Sequence, residues 1–392
     1  MNILFLSAWY PYPTNNGSRL RIFNLLKGIA HAGHKITLIS FEDQPLIDKA
    51  GLADICCDII TIPWESGQLT GIRKRLAPLN RTPHSFLDTF SDKMVGAIEA
   101  VLAQKDIDIV IASQIKAAAY GEYLKGIPAI FEELELGVMH DQPNEIESLL
   151  HRSRYKLTWY KHKNFVEKVF DHYQACTVVS SEEKVLFEKN INQPDVPCHV
   201  IPNGVDVAQY VDYQTSKKKK NTLIYTGSYG FFANYDAMVW FVGKVLPIIQ
   251  ERVPDVKLTI TGDHKNKLLP ENSAVKLVGF VDDIRPLIAE SAVSLAPLLV
   301  GGGTRLKILE AMALCTPVVA TSKGAQGLDA IPGVHYQKAD APRDFADEVV
   351  RLLHDDSLAQ SIADEAYALV HSKYDWGVIL PQFMEVVECL KK

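Results

Sequence analysis

Short apolar runs rich in β-branched residues alternate with helix-length segments along the whole chain. In the first half these runs are NILFLS, KITLIS, DIITIP, DIVIAS, PAIFEE, CTVVS and HVIP; in the second they are TLIYTG, KLTITG, VKLVG, VSLAP, PVVAT and VHYQ. The runs lack the apolar–polar alternation of a half-exposed strand, so each reads as a strand covered on both faces. Helical segments between them predict βα units, parallel sheets and a doubly wound α/β architecture.

The rhythm breaks at IPNGVDVAQYVDYQTSKKKKNTLIYTG. A strand ends at the Asn203–Gly204 turn, the Lys217–Lys220 run is expected to be a solvated loop, and a new strand is expected at Asn221. This predicts two Rossmann-like domains, 1–205 and 206–374, with an amphipathic segment, 375–392, packing back on the first. Open parallel sheets bind ligands outside the carboxyl ends of their strands, so function is expected in post-strand loops facing an interdomain cleft.

The 392 residues suit two domains better than one. A net charge of −6 gives no global attraction to nucleic acid, and none is expected as a partner. Six cysteines without a CxxC pair read as reduced thiols of a cytosolic protein. The opening MNILFLSAWYPYP has no basic n-region or small-residue cleavage site, and no apolar run reaches the ~18 residues of a membrane span. The expected location is the cytoplasm, peripheral at the inner face of the plasma membrane if a membrane is involved.

The candidate chemistry is concentrated in VGGGTRLKILEAMALCTPVVAT, residues 300–321. Gly302, Gly303 and Thr304 leave a bare backbone between a strand and a helix predicted over Arg305–Leu314, whose first amides, Leu306 included, point at a ligand. Arg305 and Lys307 add full positive charge, so the parts fit a phosphate or diphosphate. Glu310, on an otherwise apolar helix, needs hydroxyls or a cation to be buried, and a ribose diol supplies them. The order GxxxxGK[ST] is absent and no GxGxxG opens the first strand, which disfavours nucleotide hydrolases and dinucleotide oxidoreductases. A second glycine turn, TGSYGFFANYDAM, offers Gly227, Ser228 and Asn234, the last as a helix cap or ligand contact. In VGFVDDI, the Phe280–Val281 backbone is placed to read a base edge, while Asp282 or Asp283 caps the following helix. In the first domain, Asn16 and Gly17 open a helix beside Arg19 and Arg21.

These blocks, with VVSSEEK, VIPNGVD, YTGSYG and LTITG, resemble the family 4 retaining glycosyltransferases of the GT-B fold over nearly the whole chain. The resemblance implies a nucleotide-sugar donor (UDP-, GDP- or dTDP-) in the second domain, and Gly17 also facing it. It implies a glycan or lipid-linked acceptor at Asn16, Gly17 and Arg19, and surface polysaccharide synthesis as the setting. It further implies front-face transfer with retention, Arg305, Lys307 and helix-start amides stabilising the leaving diphosphate, and neither metal nor other cofactor.

Two positions depart from the family pattern. Many members carry a sugar-contacting glutamate where Gly302 stands, so either amides of 302–304 replace it or the donor sugar differs. Many also carry a histidine after the fifth strand, where this chain has Leu134–Glu135. Glu133 and Glu135, alternating on one side of an extended segment, and His140, paired with Asp141, are the candidates to replace it. The DID at Asp106–Asp108 leads into a strand and reads as structural. Residues 151–170 carry six Lys or Arg against Glu167, interleaved with Tyr155, Trp159, Tyr160 and Phe165, and IRKRLAPLNR at 72–81 adds charge. Such a helix either lies on an anionic membrane or turns its aromatics into the core. A nucleotide-sugar epimerase and a non-catalytic nucleotide-sugar binding partner remain as alternatives.

Overall fold

The computed structural model describes residues 1–42, 48–64, 82–83, 86, 89–137, 140, 149–301 and 305–391. Its chain forms two compact units, Met1–Pro202 with Leu380–Lys392, and Asn203–Ile379. Each is built on one parallel sheet with helices between most successive strands; among the described residues none lies between Thr261 and Val275 or between Ala320 and Gln337.

The sheet of the first unit contains β1 (Asn2–Ser7), β2 (Lys35–Glu42), β3 (Asp58–Pro63), β4 (Ile109–Ser113), β5 (Ala129–Glu132), β6 (Ala175–Val178) and β7 (Cys198–Val200), in the order β3-β2-β1-β4-β5-β6-β7. Ile3 to Leu6 are fully buried, as are all five residues of β4, because helices cover both faces. Leu4 and Leu6 share one face with Phe41, Val110 and Phe131 in the main core cluster. The helix after β1, Gly17–His31, is capped by Asn16, whose Oδ1 accepts from the Arg19 amide at 3.0 Å. Ser180 caps Ser181–Asn190 in the same way.

The second sheet contains β8 (Lys219–Thr226), β9 (Lys257–Thr261), β10 (Val275–Gly279), β11 (Ser291–Ala296), β12 (Val318–Ala320) and β13 (Gln337–Lys338), in the order β10-β9-β8-β11-β12-β13. The predicted apolar runs supply strands with differences at their ends, except VHYQ, of which only Gln337 enters a strand while Val334 and His335 form a turn. The Lys217–Lys220 run is not a loop throughout. β8 starts at Lys219, which pairs with Glu290, and the half-buried Lys218 donates to Thr316 Oγ1 at 2.5 Å. Burial pushes the Lys218 ammonium down to about 8. Two of the four cations are thus held by partners some 70 to 100 residues away, which local polarity does not reveal.

The unit boundary falls at 202/203 instead of 205/206. Val205 donates to Tyr374 O at 2.9 Å and accepts from Trp376 N at 3.0 Å, tying this stretch to the second unit. The last helix, Trp376–Cys389, contributes its residues from Leu380 onward to the first unit, where Leu380 packs over Gly28. No described helix is long and apolar enough to cross a membrane.

Candidate active site

In the second unit the chemistry-bearing residues gather at the carboxyl ends of β8, β9, β11 and β12. The helix after the glycine run spans Leu306–Ala313, and Arg305 precedes it with non-helical angles (φ −86°, ψ 80°). Arg305 is 7% exposed; its carbonyl accepts from Ile308 and Leu309, and its guanidinium reaches Lys323 O at 3.4 Å. Two residues on, the half-buried Lys307 places its Nζ 4.0 Å above the centre of the Tyr225 ring and donates to Asn234 Oδ1 at 3.0 Å. Tyr225 Oη donates to the same Oδ1 at 2.8 Å, and Asn234 Nδ2 donates to Ser228 O at 2.9 Å. Asn234 is therefore no helix cap. It lies within Phe232–Trp240, and its amide is fixed by three partners.

Two glycines make this packing possible. Gly227 has φ +153° and Gly262 φ +103°. A Cβ on Gly227 would lie 2.8 Å from Asn234 Nδ2, and one on Gly262 2.6 Å from the Gly227 carbonyl carbon. Ser228 Oγ closes the turn by donating to Asp263 O and accepting from Gly230 N, both at 3.1 Å.

The electrostatics are those of a site short of anions. Burial, reinforced by nearby Arg305, pushes the Lys307 ammonium down to about 7, with Glu310 opposing. Burial pushes the Glu310 carboxyl up to about 7, against the pull of Lys307. Burial also raises Tyr210, helped by the neighbouring Glu310 charge. An anion bound here returns Lys307 to its charged form without new protein charge being buried.

After β10, Phe280 stands 70% exposed. The cap position of Arg285–Glu290 is Ile284 and not Asp282 or Asp283; Asp283, one residue earlier, accepts from the Arg285 amide (3.0 Å), clamps the Arg285 guanidinium at 2.8 and 2.9 Å and accepts from Tyr213 Oη at 3.0 Å. These bonds hold its carboxyl down at about 2.

In the first unit, Arg21 is not a surface cation. It is 1% exposed, bonds Glu132 Oε1 at 2.6 Å and Pro202 O at 3.1 Å, and Glu132 Oε2 accepts from Ser113 Oγ at 2.5 Å. Arg19 is also buried, with Nη1 on Asn15 Oδ1 at 2.7 Å. The expected shared environment of Glu133 and Glu135 is not formed. The strand ends at Glu132 and Glu133 takes φ +58°, which breaks the extended alternation, so Glu133 is buried and Glu135 exposed. Glu133 Oε2 accepts from Gln114 Nε2 at 2.8 Å, and that amide also donates to Ser18 Oγ at 3.1 Å. Gln114 too has a left-handed backbone, φ +67°. Two non-glycine residues in this region, bonded to each other, mark strain of the sort found at working sites. Burial pushes the Glu133 carboxyl up to about 8, opposed by Arg21 and reinforced by Glu132 and Glu135. The His140 ring packs edge-on against Trp159 at 5.4 Å.

Two family models match the chain: "Glycosyltransferase Family 4" over residues 15–209 and "Glycosyl transferases group 1" over 220–355. The chain belongs to the family 4 glycosyltransferases. It is 24% identical over 391 residues to a 44.6 kDa protein of the cps region of Klebsiella pneumoniae, covering 95% of this chain and 96% of that one. It is 32% identical over 206 residues to the phosphatidyl-myo-inositol mannosyltransferase of Mycolicibacterium smegmatis, about half of each chain (48% and 51%). The solved structure of Anabaena HepE in complex with UDP and glucose superposes with a TM-score of 0.70 at 16% identity, over 99% of this chain and 100% of that one. The two parallel sheets are those of a GT-B glycosyltransferase.

In this glycosyltransferase, Gly227, Ser228, Asn234, Arg305 and Lys307 come together, with Leu306 at the helix start and Glu310 on its next turn. Gly302, Gly303, Thr304 and Asp141 lie outside the described residues, as does the 72–81 segment. Phe280 and Val281 stand in the loop after β10, and Asn16 and Gly17 at the first helix start. Asp106 and Asp108 hold the amino end of β1: Asn2 donates to Asp108 Oδ2 (2.7 Å) and to Asp106 O (2.8 Å), a structural role. Tyr225, Gln114 and Ser18 also line these sites, although no sequence motif marks them. Gln114 is the first residue after β4, and its position at a strand's carboxyl end is the signal that points to it.

Proposed function

We propose that this glycosyltransferase moves a sugar from a nucleotide-diphosphate-sugar to a glycan or lipid-linked acceptor with retention, in the synthesis of a surface polysaccharide. The observation that carries the donor assignment is Lys307. It is a desolvated ammonium held by Asn234 and the Tyr225 face, beside Arg305 and at a helix start. Such a group is costly when empty and favourable against a diphosphate. HepE, seen with UDP and glucose, supports a nucleotide-sugar at this fold. Glu310, half-buried one turn further on, reads the ribose hydroxyls.

In the reaction, Arg305, Lys307 and the amides of Leu306 and Lys307 stabilise the diphosphate as the glycosidic bond breaks. The acceptor hydroxyl enters on the face the diphosphate leaves, and the departing phosphate oxygen takes its proton. The first unit binds the acceptor through the helix start at Asn16, Gly17 and Arg19. Glu133, fixed by Gln114, orients the acceptor hydroxyl. The two cations take the part a divalent ion plays elsewhere, and we propose that no metal is needed.

The polysaccharide setting is supported by the cps-region relative. A lipid-linked acceptor is supported by the helix Leu149–Val169. Trp159 and Phe165 pack on the core, whereas Leu157 (55% exposed) and Tyr160 (60%) face solvent among Arg154, Lys156 and Lys161. An apolar centre ringed by cations suits a peripheral position on anionic lipid. The test is a thermal-shift screen over UDP-, GDP- and dTDP-sugars, followed by NMR of the product formed with the stabilising donor. One nucleotide class is expected to raise the melting temperature, by mass action, and Lys307→Ala to remove the effect. A product of inverted anomeric configuration would refute retention.

A further inference from the structure

Lys116 is a cation the mechanism above does not use. It sits in the short helix Gln114–Ala118 directly after β4, beside the point where the strand order reverses between β1 and β4. Ligands of open parallel sheets bind at such switch points. The helix is anchored: Ala117 and Ala118 are fully buried, and Ala118 O accepts from Tyr173 Oη at 2.9 Å. Lys116 Nζ stands 4.4 Å above the centre of the Trp64 ring, at the end of β3. Trp64 is itself held, its amide bonded to Glu42 O at 3.2 Å and its ring meeting the edge of Phe41 at 5.2 Å.

Among the described residues no carboxylate pairs with Lys116; its half-buried ammonium is lowered by desolvation alone. Among the described residues this cation is desolvated on rigid elements with only the indole beside it, and an anionic ligand is the partner that would complete it. The donor diphosphate is already assigned to Arg305 and Lys307 of the second unit, so the ligand of Lys116 belongs to the acceptor. A lysine with its charge backed by an indole is a point-charge phosphate binder.

We propose that Lys116 and Trp64 form the seat of a phosphate group carried by the acceptor, the ammonium meeting the phosphoryl oxygens and the indole face backing it. This rests on the reading that the first unit holds the acceptor. The phosphate is that of a lipid headgroup or of a soluble sugar phosphate, and the test separates them.

The full chain, with 15N-labelled tryptophan and the Trp64 indole signal assigned through Trp64→Phe, is titrated with farnesyl phosphate, glucose 1-phosphate, farnesol and methyl glucoside. At least one phosphate is expected to move the Trp64 signal, while its uncharged counterpart does not. Farnesyl phosphate moving it assigns a lipid headgroup, and glucose 1-phosphate a soluble sugar phosphate. Lys116→Met, which keeps the packing stem, is expected to weaken that binding about tenfold or more, ~1.4 kcal/mol. Lys116→Arg is expected to retain it, and also serves if the methionine variant does not fold. The proposal is overturned if neither phosphate moves Trp64, if the uncharged probes act equally, or if Lys116→Met binds as the parent does. Nucleotide-sugar stabilisation, measured on the same Lys116→Met protein, reports the donor reading separately and is expected to be unchanged.

Discussion

Substituting Lys307 by Met changes the proton count of donor binding, and the structure sets both sign and size. In the empty site Lys307 titrates at about 7 and Glu310 at about 7. At pH 8 Lys307 is therefore only about one-tenth protonated, and a bound diphosphate draws it back towards its ordinary value, taking up about 0.9 proton. Glu310, about nine-tenths ionised at pH 8, releases only about 0.1 when ribose hydroxyls stabilise its carboxylate. Net uptake at pH 8 is about 0.8 proton, and at pH 6 the roles exchange and about 0.8 is released. The assay is titration calorimetry with a nucleotide-sugar, whose diphosphate has no proton to lose in this range, in buffers of different ionisation enthalpy. Lys307→Met is expected to abolish uptake at pH 8 and leave the release at pH 6. Glu310→Gln is expected to do the reverse. A parent protein that takes up no proton at pH 8, or a methionine variant that still does, would refute the account of Lys307.

Glu133 titrates at about 8 in the folded chain, above the ordinary 4.5. Between those values the folded state keeps a proton the unfolded state has lost, so stability falls with rising pH, by up to about 1.4 kcal/mol per unit. Glu133→Gln should therefore unfold at higher denaturant than the parent at pH 8 and show no such advantage at pH 4, as read by urea melts. Gly324→Ala places a Cβ 2.0 Å from Ala296 O, against backbone that cannot yield, and is expected to cost about 2–4 kcal/mol in the same melts. Transfer activity should persist in EDTA; its loss, with recovery on adding Mg²⁺ or Mn²⁺, would contradict the metal-free mechanism. The double change Leu157→Ser with Tyr160→Ser should reduce sedimentation with phosphatidylglycerol vesicles several-fold, and unaltered binding would remove the membrane role of that face.

Strands covered on both faces leave unbroken apolar runs, which is why the two sheets were legible along the chain. What stayed hidden depends on partners distant in sequence. Arg21 looks like a surface cation until Glu132, 111 residues on, is placed against it. Asn234 suits a cap by composition, yet Tyr225 and Lys307 fix it inside the helix. Alternation assumes extended backbone, and the left-handed turn at Glu133 removes that premise for Glu135. The cationic stretch Arg305–Lys307 was readable because its chemistry is local; the desolvation that sets its proton affinity is a property of packing.

The division of the last helix bears on the order in which the protein is made. Residues 203–379 are contiguous, so the second unit has its whole sequence available as soon as Ile379 clears the ribosome. The first unit has to wait. Leu380 fills the space over Gly28, Glu388 stands 3.9 Å from His34, and Lys391 lies 3.8 Å from Asp108. The half of the protein synthesised first is thus completed last, once the segment from Leu380 onward packs against it.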